Sequence, residues 1–266
     1  MMSRSRFLQL SAFAAMALPQ ALAWASEPPA LTVAWRDKPP YHYLDKEQPR
    51  GFLLERAQRI FAAAGIPARF VTEPQKRIWA NFEHGTPNYC SISWYKLPQR
   101  ERVGNYSEPI HIDPPQIVLI APAALARVKA HPTLASLMAD RTLTLGVVDG
   151  VSYGPELDAL IAHGANTIMR RTVATTAMMR MLSVDRASYM LADRADWDFF
   201  RDNEVGLKVI ERHDFPDMAP GVRRHIVCSK DVPPETMARI NQAIAATGGA
   251  SDGANTPDGK KNPTRK

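Results

Sequence analysis

Two short proline-rich interruptions, near residues 111–115 (HIDPP) and 216–221 (PDMAPG), decide what this 266-residue chain can become. Neither suits a regular element, since proline lacks the amide donor and biases the residue before it toward extended backbone. Before the first interruption the chain reads β-α-β-α-β, the signature of a parallel sheet. Between the two it runs through a second α/β series, and after the second it has one strand and one helix left. The pattern implies a first lobe interrupted by a second, with the chain returning to complete the first. Two crossings then form a hinge, and the cleft between the lobes is the natural ligand site.

The elements follow from periodicity. An apolar run at 30–35 predicts a strand, and a loop at 36–49 carries PPYHYLDKEQP. Gly51 opens a helix whose apolar residues Phe52, Leu53, Ala57, Ile60, Phe61 and Ala64 recur at helical spacing, and Gly65 stops it. A strand at 68–72, a helix from Pro74 to Gly85 and a strand at 89–94 complete the first series. The second predicts helices at 134–139, 155–163, 175–184 and 194–200, with strands at 116–121, 143–148, 167–170, 188–191 and 207–211. A strand at 224–228 and a helix at about 233–246 return to the first lobe. The expected divisions are 26–113 and 221–248 for lobe 1 and 114–220 for lobe 2. Met178, Met181 and Leu182 form a stripe explained by core packing.

The ends are read separately. Arg4 and Arg6 precede an apolar run at 7–23, and Ala23-Trp24-Ala25 is an A-x-A cleavage pattern, so 1–25 is expected to be a secretory signal peptide. Removing it lowers the formal charge from +6 to +4 and leaves about 240 residues, room for two lobes of roughly 100 each. No later run is long enough to span a bilayer, so the expectation is an exported, periplasmic protein. The tail at 249–266, rich in glycine and lysine, is expected to be disordered. Basic residues are otherwise dispersed, which argues against a nucleic-acid partner. The seven histidines are scattered without metal-ligand spacing, and no glycine-rich phosphate loop occurs, so neither metal nor cofactor is expected. Cys90 and Cys228 suit one disulfide in an oxidising compartment, or equally two buried thiols.

The candidate site gathers around residues 90–110, CSISWYKLPQRERVGNYSEPI. Arg100 follows the third strand, where α/β folds bind their ligands, and its guanidinium fork suits a carboxylate; a solvated turn with Lys96 and Arg102 is the alternative. Ser93 and Trp94 close the same strand. Tyr41 and Tyr43, in the loop after the first strand, either stack on a ligand or cover the lobe's edge. Arg77 begins a helix and faces the cleft or solvent. Asp193 stands where a strand gives way to a helix; it is an N-cap or an acceptor for a ligand ammonium. Gly150-Val151-Ser152-Tyr153-Gly154 matches G-x-S-x-G between a strand and a helix. With Asp193 or Asp196 and His213 or His225 downstream, Ser152 has the makings of a hydrolase triad. The same turn serves equally to offer backbone amides to a carboxylate.

Taken in order, Leu31 to Trp35, Pro40-Tyr41, Gly51-Phe52 with Glu55, Arg100, Tyr106-Ser107-Glu108-Pro109, the turn 147–152 and the segment 186–193 resemble the periplasmic solute-binding proteins that feed polar amino acids to ABC importers. The resemblance covers 31 to about 248. It implies a two-lobe, type II periplasmic-binding-protein-like α/β fold, each lobe a mostly parallel sheet flanked by helices, joined by a two-crossing hinge. It implies a monomer that delivers an amino acid or related carboxylate to an ABC permease. Arg100 then matches the carboxylate-gripping arginine, Ser152 a hydroxyl that assists it, and Asp193 the acid that holds the ligand ammonium. The chain departs from the pattern at Asn88-Tyr89, Trp94-Tyr95, Val184-Asp185 and Ser188. The family also includes sensor domains and dehydratase-type enzymes, so a sensing role and catalysis stand as alternatives.

Overall fold

The computed structural model describes residues 30–252. The expected signal peptide, and the expected disordered tail from 253 onward, lie outside the described residues. Lobe 1 begins with β1 (Leu31–Trp35), β2 (Tyr43–Asp45) and β3 (Gln48–Arg50), then α1 (Phe52–Ala63), β4 (Ala68–Thr72), α2 (Gln75–Glu83), β5 (Tyr89–Tyr95), α3 (Pro98–Glu101) and β6 (Gly104–Ile112). The chain then crosses to β7 (Ile117–Ile120), α4 (Leu125–Lys129), α5 (Leu134–Met138), β8 (Thr144–Val148), α6 (Pro155–His163), β9 (Thr167–Arg171), α7 (Thr175–Ser183), β10 (Tyr189–Ala192), α8 (Arg194–Arg201) and β11 (Glu211–His213). It returns through β12 (Arg223–Ser229), α9 (Pro234–Ala246) and β13 (Ser251–Asp252).

Two sheets result. The first has the order β13-β6-β12-β5-β1-β4, the second β11-β7-β10-β8-β9. In each, the strands of the βα series pair in parallel: β1 with β4 and β5, and β8 with β9 and β10. The strands next to the crossings pair antiparallel: β12 with β5 and β6, and β7 with β10 and β11. Each sheet therefore joins a parallel series to antiparallel strands, with β13 adding a short parallel pair at the edge of the first, and the antiparallel strands flank the crossings.

Three apolar clusters follow from this layering. In lobe 1, Leu54, Ile60 and Phe61 of α1 pack with Ile240 and Ile244 of α9 on one face of the sheet. Ile78 and Phe82 of α2 pack with Tyr89 and Trp94 on the other. Lobe 2 has its own core from Ile117 to Phe215; of the expected stripe Met178 and Leu182 are fully buried there, while Met181 is only partly buried and Met179 takes the core position instead. Each such side chain removed from water contributes roughly 1.5–3 kcal/mol. Cys90 and Cys228, direct partners in the β5–β12 register, are joined as a disulfide.

Some expectations fail locally. The loop after β1 contains the β2–β3 hairpin, closed by Lys46 and Glu47, both at positive φ. Residues 111 and 112 belong to β6, so the first crossing starts at Asp113. The strand expected at 207–211 is a 3-10 turn at Val205–Leu207 followed by β11. Ser251 and Asp252, at the start of the expected tail, pair in parallel with His111 and Ile112. The two crossings are tied together by the Asp113 amide, which donates to the Val222 carbonyl at 3.0 Å.

Candidate functional site

A cavity of ≈ 710 Å³ lies between the lobes, at the carboxyl ends of β1 and β5 on one side and of β8 and β10 on the other. That is where an open α/β sheet places its ligand crevice. Lobe 1 contributes Arg36 and Lys38 from the turn after β1, Ser93, Trp94 and Tyr95 from β5, Arg100 from α3 and Arg224 from β12. Lobe 2 contributes the turn 148–153, Asp193 and Asp196, with Gln116 reaching in from the crossing.

Arg224 organises the floor. It is 2% exposed, and its Nε and Nη2 reach the Asp113 carboxylate at 2.8 Å each. Nη1 donates to the Ser93 carbonyl and hydroxyl at 3.3 Å, and the guanidinium lies 4.3 Å from the Tyr41 ring centroid and 4.7 Å from that of Tyr95. The Tyr95 hydroxyl donates to Asp113 at 2.6 Å. Burial opposes the charge on Arg224, but the neighbouring Asp113 outweighs it and raises the pKa. Burial likewise opposes ionisation of Asp113, and the Arg224 charge and the His111 hydrogen bond override it, so its pKa falls. Ser93 holds a positive φ of 69°, in the left-handed region. Such a conformation persists in a non-glycine residue only where its surroundings hold it, as the two contacts from Arg224 do here.

The second cluster crosses the cleft. Lys38 Nζ lies 2.7 Å from Asp193 Oδ2, and 2.9 and 2.7 Å from the two oxygens of Asp196. Asp193 Oδ2 also receives Arg224 Nη2 at 3.2 Å, and its Oδ1 receives Gln116 Nε2 at 2.5 Å. Asp193 caps α8 with its backbone position only; its side chain makes no cap hydrogen bond and turns into the cleft. Both carboxylates are desolvated. Lys38 and Arg224 overcome burial at Asp193 and push its pKa well below the usual carboxylate range, whereas at Asp196 burial, with the Asp193 charge beside it, wins and raises the pKa. One negative charge is thus held firmly and the other weakly.

The third group is aromatic and cationic. Trp94, 2% exposed, donates its indole N–H to Ser91 at 2.7 Å. Arg36 lies 4.4 Å and Arg100 5.3 Å from its ring centroid, and Arg100 also sits 4.5 Å from that of Trp79. Arg36 Nη1 donates to Gln75 at 2.9 Å. Among the described residues no carboxylate forms an ion pair with either guanidinium. Burial and then the charges of Arg224 and Arg100 lower the Arg36 pKa, which marks a positive field not balanced locally. Planar guanidinium groups laid on indole rings are held in place for a bidentate anion.

The remaining expected residues divide. Arg100, Ser93, Trp94, Ser152 and Asp193 all line the cavity. The Ser152 hydroxyl donates to Asp158 Oδ2 at 2.5 Å and accepts from the Gly154 amide at 3.2 Å, bracing the start of α6. The triad partners are not assembled around it. His225 lies in lobe 1 against the Ser107 carbonyl, and His213 packs on Phe215. Tyr41 is buried beneath Arg224 and Lys38 instead of facing the cavity. Tyr43 meets Phe199 of lobe 2, ring centroids 5.5 Å apart, outside the cavity lining. Arg77 is exposed on α2 and does not line the cavity. Reading the sequence missed Arg36, Lys38, Tyr95, Asp113 and Arg224. The rule that singled out Arg100, a cation just past a strand end, applies equally to Arg36 and Lys38. Among the described residues no group of three or more acidic, histidine or cysteine side chains could hold a metal ion, and no helix is long and apolar enough to cross a membrane.

Comparison with known proteins agrees with this architecture. The family model described as bacterial extracellular solute-binding proteins, family 3, matches residues 31–248. No curated protein matches the sequence. Similar solved structures include the arginine-, lysine-, histidine-binding protein ArtJ from Geobacillus stearothermophilus, with a TM-score of 0.64 and 16% identity over 82% of this chain and 89% of that one. A structure from a study of glutathione import in Gram-positive bacteria via GshT and the cystine ABC importer TcyBC of Streptococcus mutans gives 0.64 and 15%, over 82% and 88%. A His/Glu/Gln/Arg/opine family-binding protein from Silicibacter pomeroyi, in complex with lysine, gives 0.61 and 15%, over 82% and 90%. Likeness at this level of identity establishes the fold.

Proposed function

Because this chain belongs to the bacterial extracellular solute-binding proteins, family 3, we propose that it captures a small carboxylate-bearing solute between its lobes and presents the closed form to an ABC permease. Membership implies a periplasmic or extracellular location; our finer reading is a monomer in the periplasm, exported by the signal peptide at 1–25. The lobes on this reading are 26–113 with 221–248, and 114–220. The relatives named for binding arginine, lysine and histidine support a ligand of amino-acid size and polarity. The observation that carries the proposal is Arg100: a guanidinium in the cleft, near Trp79 and Trp94, that feels the Asp158 charge but makes no ion-pair contact with a carboxylate among the described residues.

A carboxylate docked on Arg100 exchanges water for two parallel charge-assisted hydrogen bonds in a site of lowered dielectric. Lobe 2 supplies the opposite wall through the turn 148–153. Ligand contacts made from both lobes favour the closed state over the open one, which is the differential affinity that a population shift requires. Binding rather than catalysis is supported by Ser152, whose hydroxyl is committed to Asp158. A thermal-shift screen of the purified protein against amino acids, small peptides, polyamines and organic acids tests the reading, since a ligand that binds only the folded state raises its apparent stability. Carboxylates should shift the wild type and fail to shift a folded Arg100→Ala variant. An equal shift in both overturns the proposal.

A further inference from the structure

We infer that the ligand is a small dianion without a free ammonium group, a non-amino dicarboxylate, because Lys38 already fills the place a ligand ammonium would take. The inference rests on the carboxylate reading above and narrows it.

The first observation is the state of Asp193. Both of its oxygens are occupied from within the chain, Oδ2 by Lys38 at 2.7 Å and Arg224 at 3.2 Å, and Oδ1 by Gln116 at 2.5 Å. Asp196, the other acid at this point, is bracketed by the same Lys38 ammonium. A ligand ammonium entering here would have to displace Lys38, Arg224 or Gln116 from carboxylate oxygens that they already hold in a largely desolvated site. An ammonium on a flexible stem, anchored in the turn after β1, thus does in the protein what a zwitterion would bring with it.

The second observation is the charge left over. Of the other charged side chains lining the cleft, Lys76 pairs with Asp149 at 3.3 Å and Arg180 with Glu204 at 2.7 Å. Asp37 is exposed and takes the Leu44 amide. Arg36 and Arg100 remain, both near Trp94 and neither ion-paired among the described residues. Two guanidinium groups held on indole rings ask for two anionic groups, and the cavity of ≈ 710 Å³ has room for a linker between them.

Isothermal titration of the purified protein with matched pairs, succinate against aspartate and glutarate against glutamate, isolates the amino group as the variable. The expected result is at least tenfold tighter binding of the member without nitrogen. Lys38→Met, which keeps the apolar stem and leaves Asp193 its contacts with Arg224 and Gln116, should reverse or erase that preference. Tighter binding of the amino member by the wild type overturns this inference and leaves the carboxylate reading standing. Failure of every carboxylate to bind overturns both.

Discussion

The α-carbon of Gly221 rests against the backbone of Asp113, so closely that a β-carbon there would stand 1.5 Å from the Asp113 carbonyl oxygen. The two crossings between the lobes therefore touch main chain to main chain. Gly221→Ala must push them apart, and overpacking of this kind typically lowers stability by about 1–3 kcal/mol. A lower urea midpoint, together with a changed radius of gyration by small-angle scattering, is the expected outcome. An alanine variant indistinguishable from the wild type in both would refute this account of the hinge.

Arg100→Lys keeps the positive charge and loses the planar fork and its stacking on Trp79. If recognition is bidentate, carboxylate affinity should fall about tenfold or more, equivalent to about 1.4 kcal/mol. Titration calorimetry reads this directly; a lysine that binds as well would mean that Arg100 acts as a point charge only.

Asp196 sets a pH dependence with a definite sign. Burial, with Asp193 alongside, raises its folded pKa above the ordinary 3.8, so between the two values the folded chain holds more protons than the unfolded one. Stability from this group is present below the unfolded pKa and is lost as pH rises through the folded pKa. Asp196→Asn should remove that downward slope, seen as wild-type and variant urea midpoints that diverge from pH 4 upward. Parallel midpoints would show that Asp196 titrates normally.

The Cys90–Cys228 bond closes a loop with a sequence separation of 138. Reduction, or the double substitution Cys90→Ala with Cys228→Ala, should lower stability by about 2–4 kcal/mol. Thermal melts with and without reductant check it, and the double variant should be insensitive to reductant.

Much of this fold was legible because its elements obey local rules. Gly65 and Gly85 end their helices at positive φ where the periodicity stops, and the β-α-β-α-β order names the sheet. The β2–β3 hairpin was not legible. Its turn residues Lys46 and Glu47 adopt the positive φ that asparagine and glycine usually advertise. Of the candidate residues, Arg100, Ser93, Trp94, Ser152 and Asp193 line the cavity, since strand ends in α/β folds face the crevice and the G-x-S-x-G turn opens on it. Arg224 escaped because it lies within a strand, and only the antiparallel return beside β5 brings it to Ser93 and Asp113. The occupation of Asp193 by Lys38 joins residues 155 positions apart, a relation that no local pattern encodes.

The disulfide joins the start of the last strand in lobe 1's parallel series to the strand on which the chain comes home. Lobe 2 is thereby a handle whose two roots are soldered together at the ends of the strands away from the cleft. That pin holds β12 beside β5 at the end of the strands opposite the two linkers. A single peptide-bond break in the outer lobe would leave both fragments on one covalent frame, with the cleft's two walls still attached to each other.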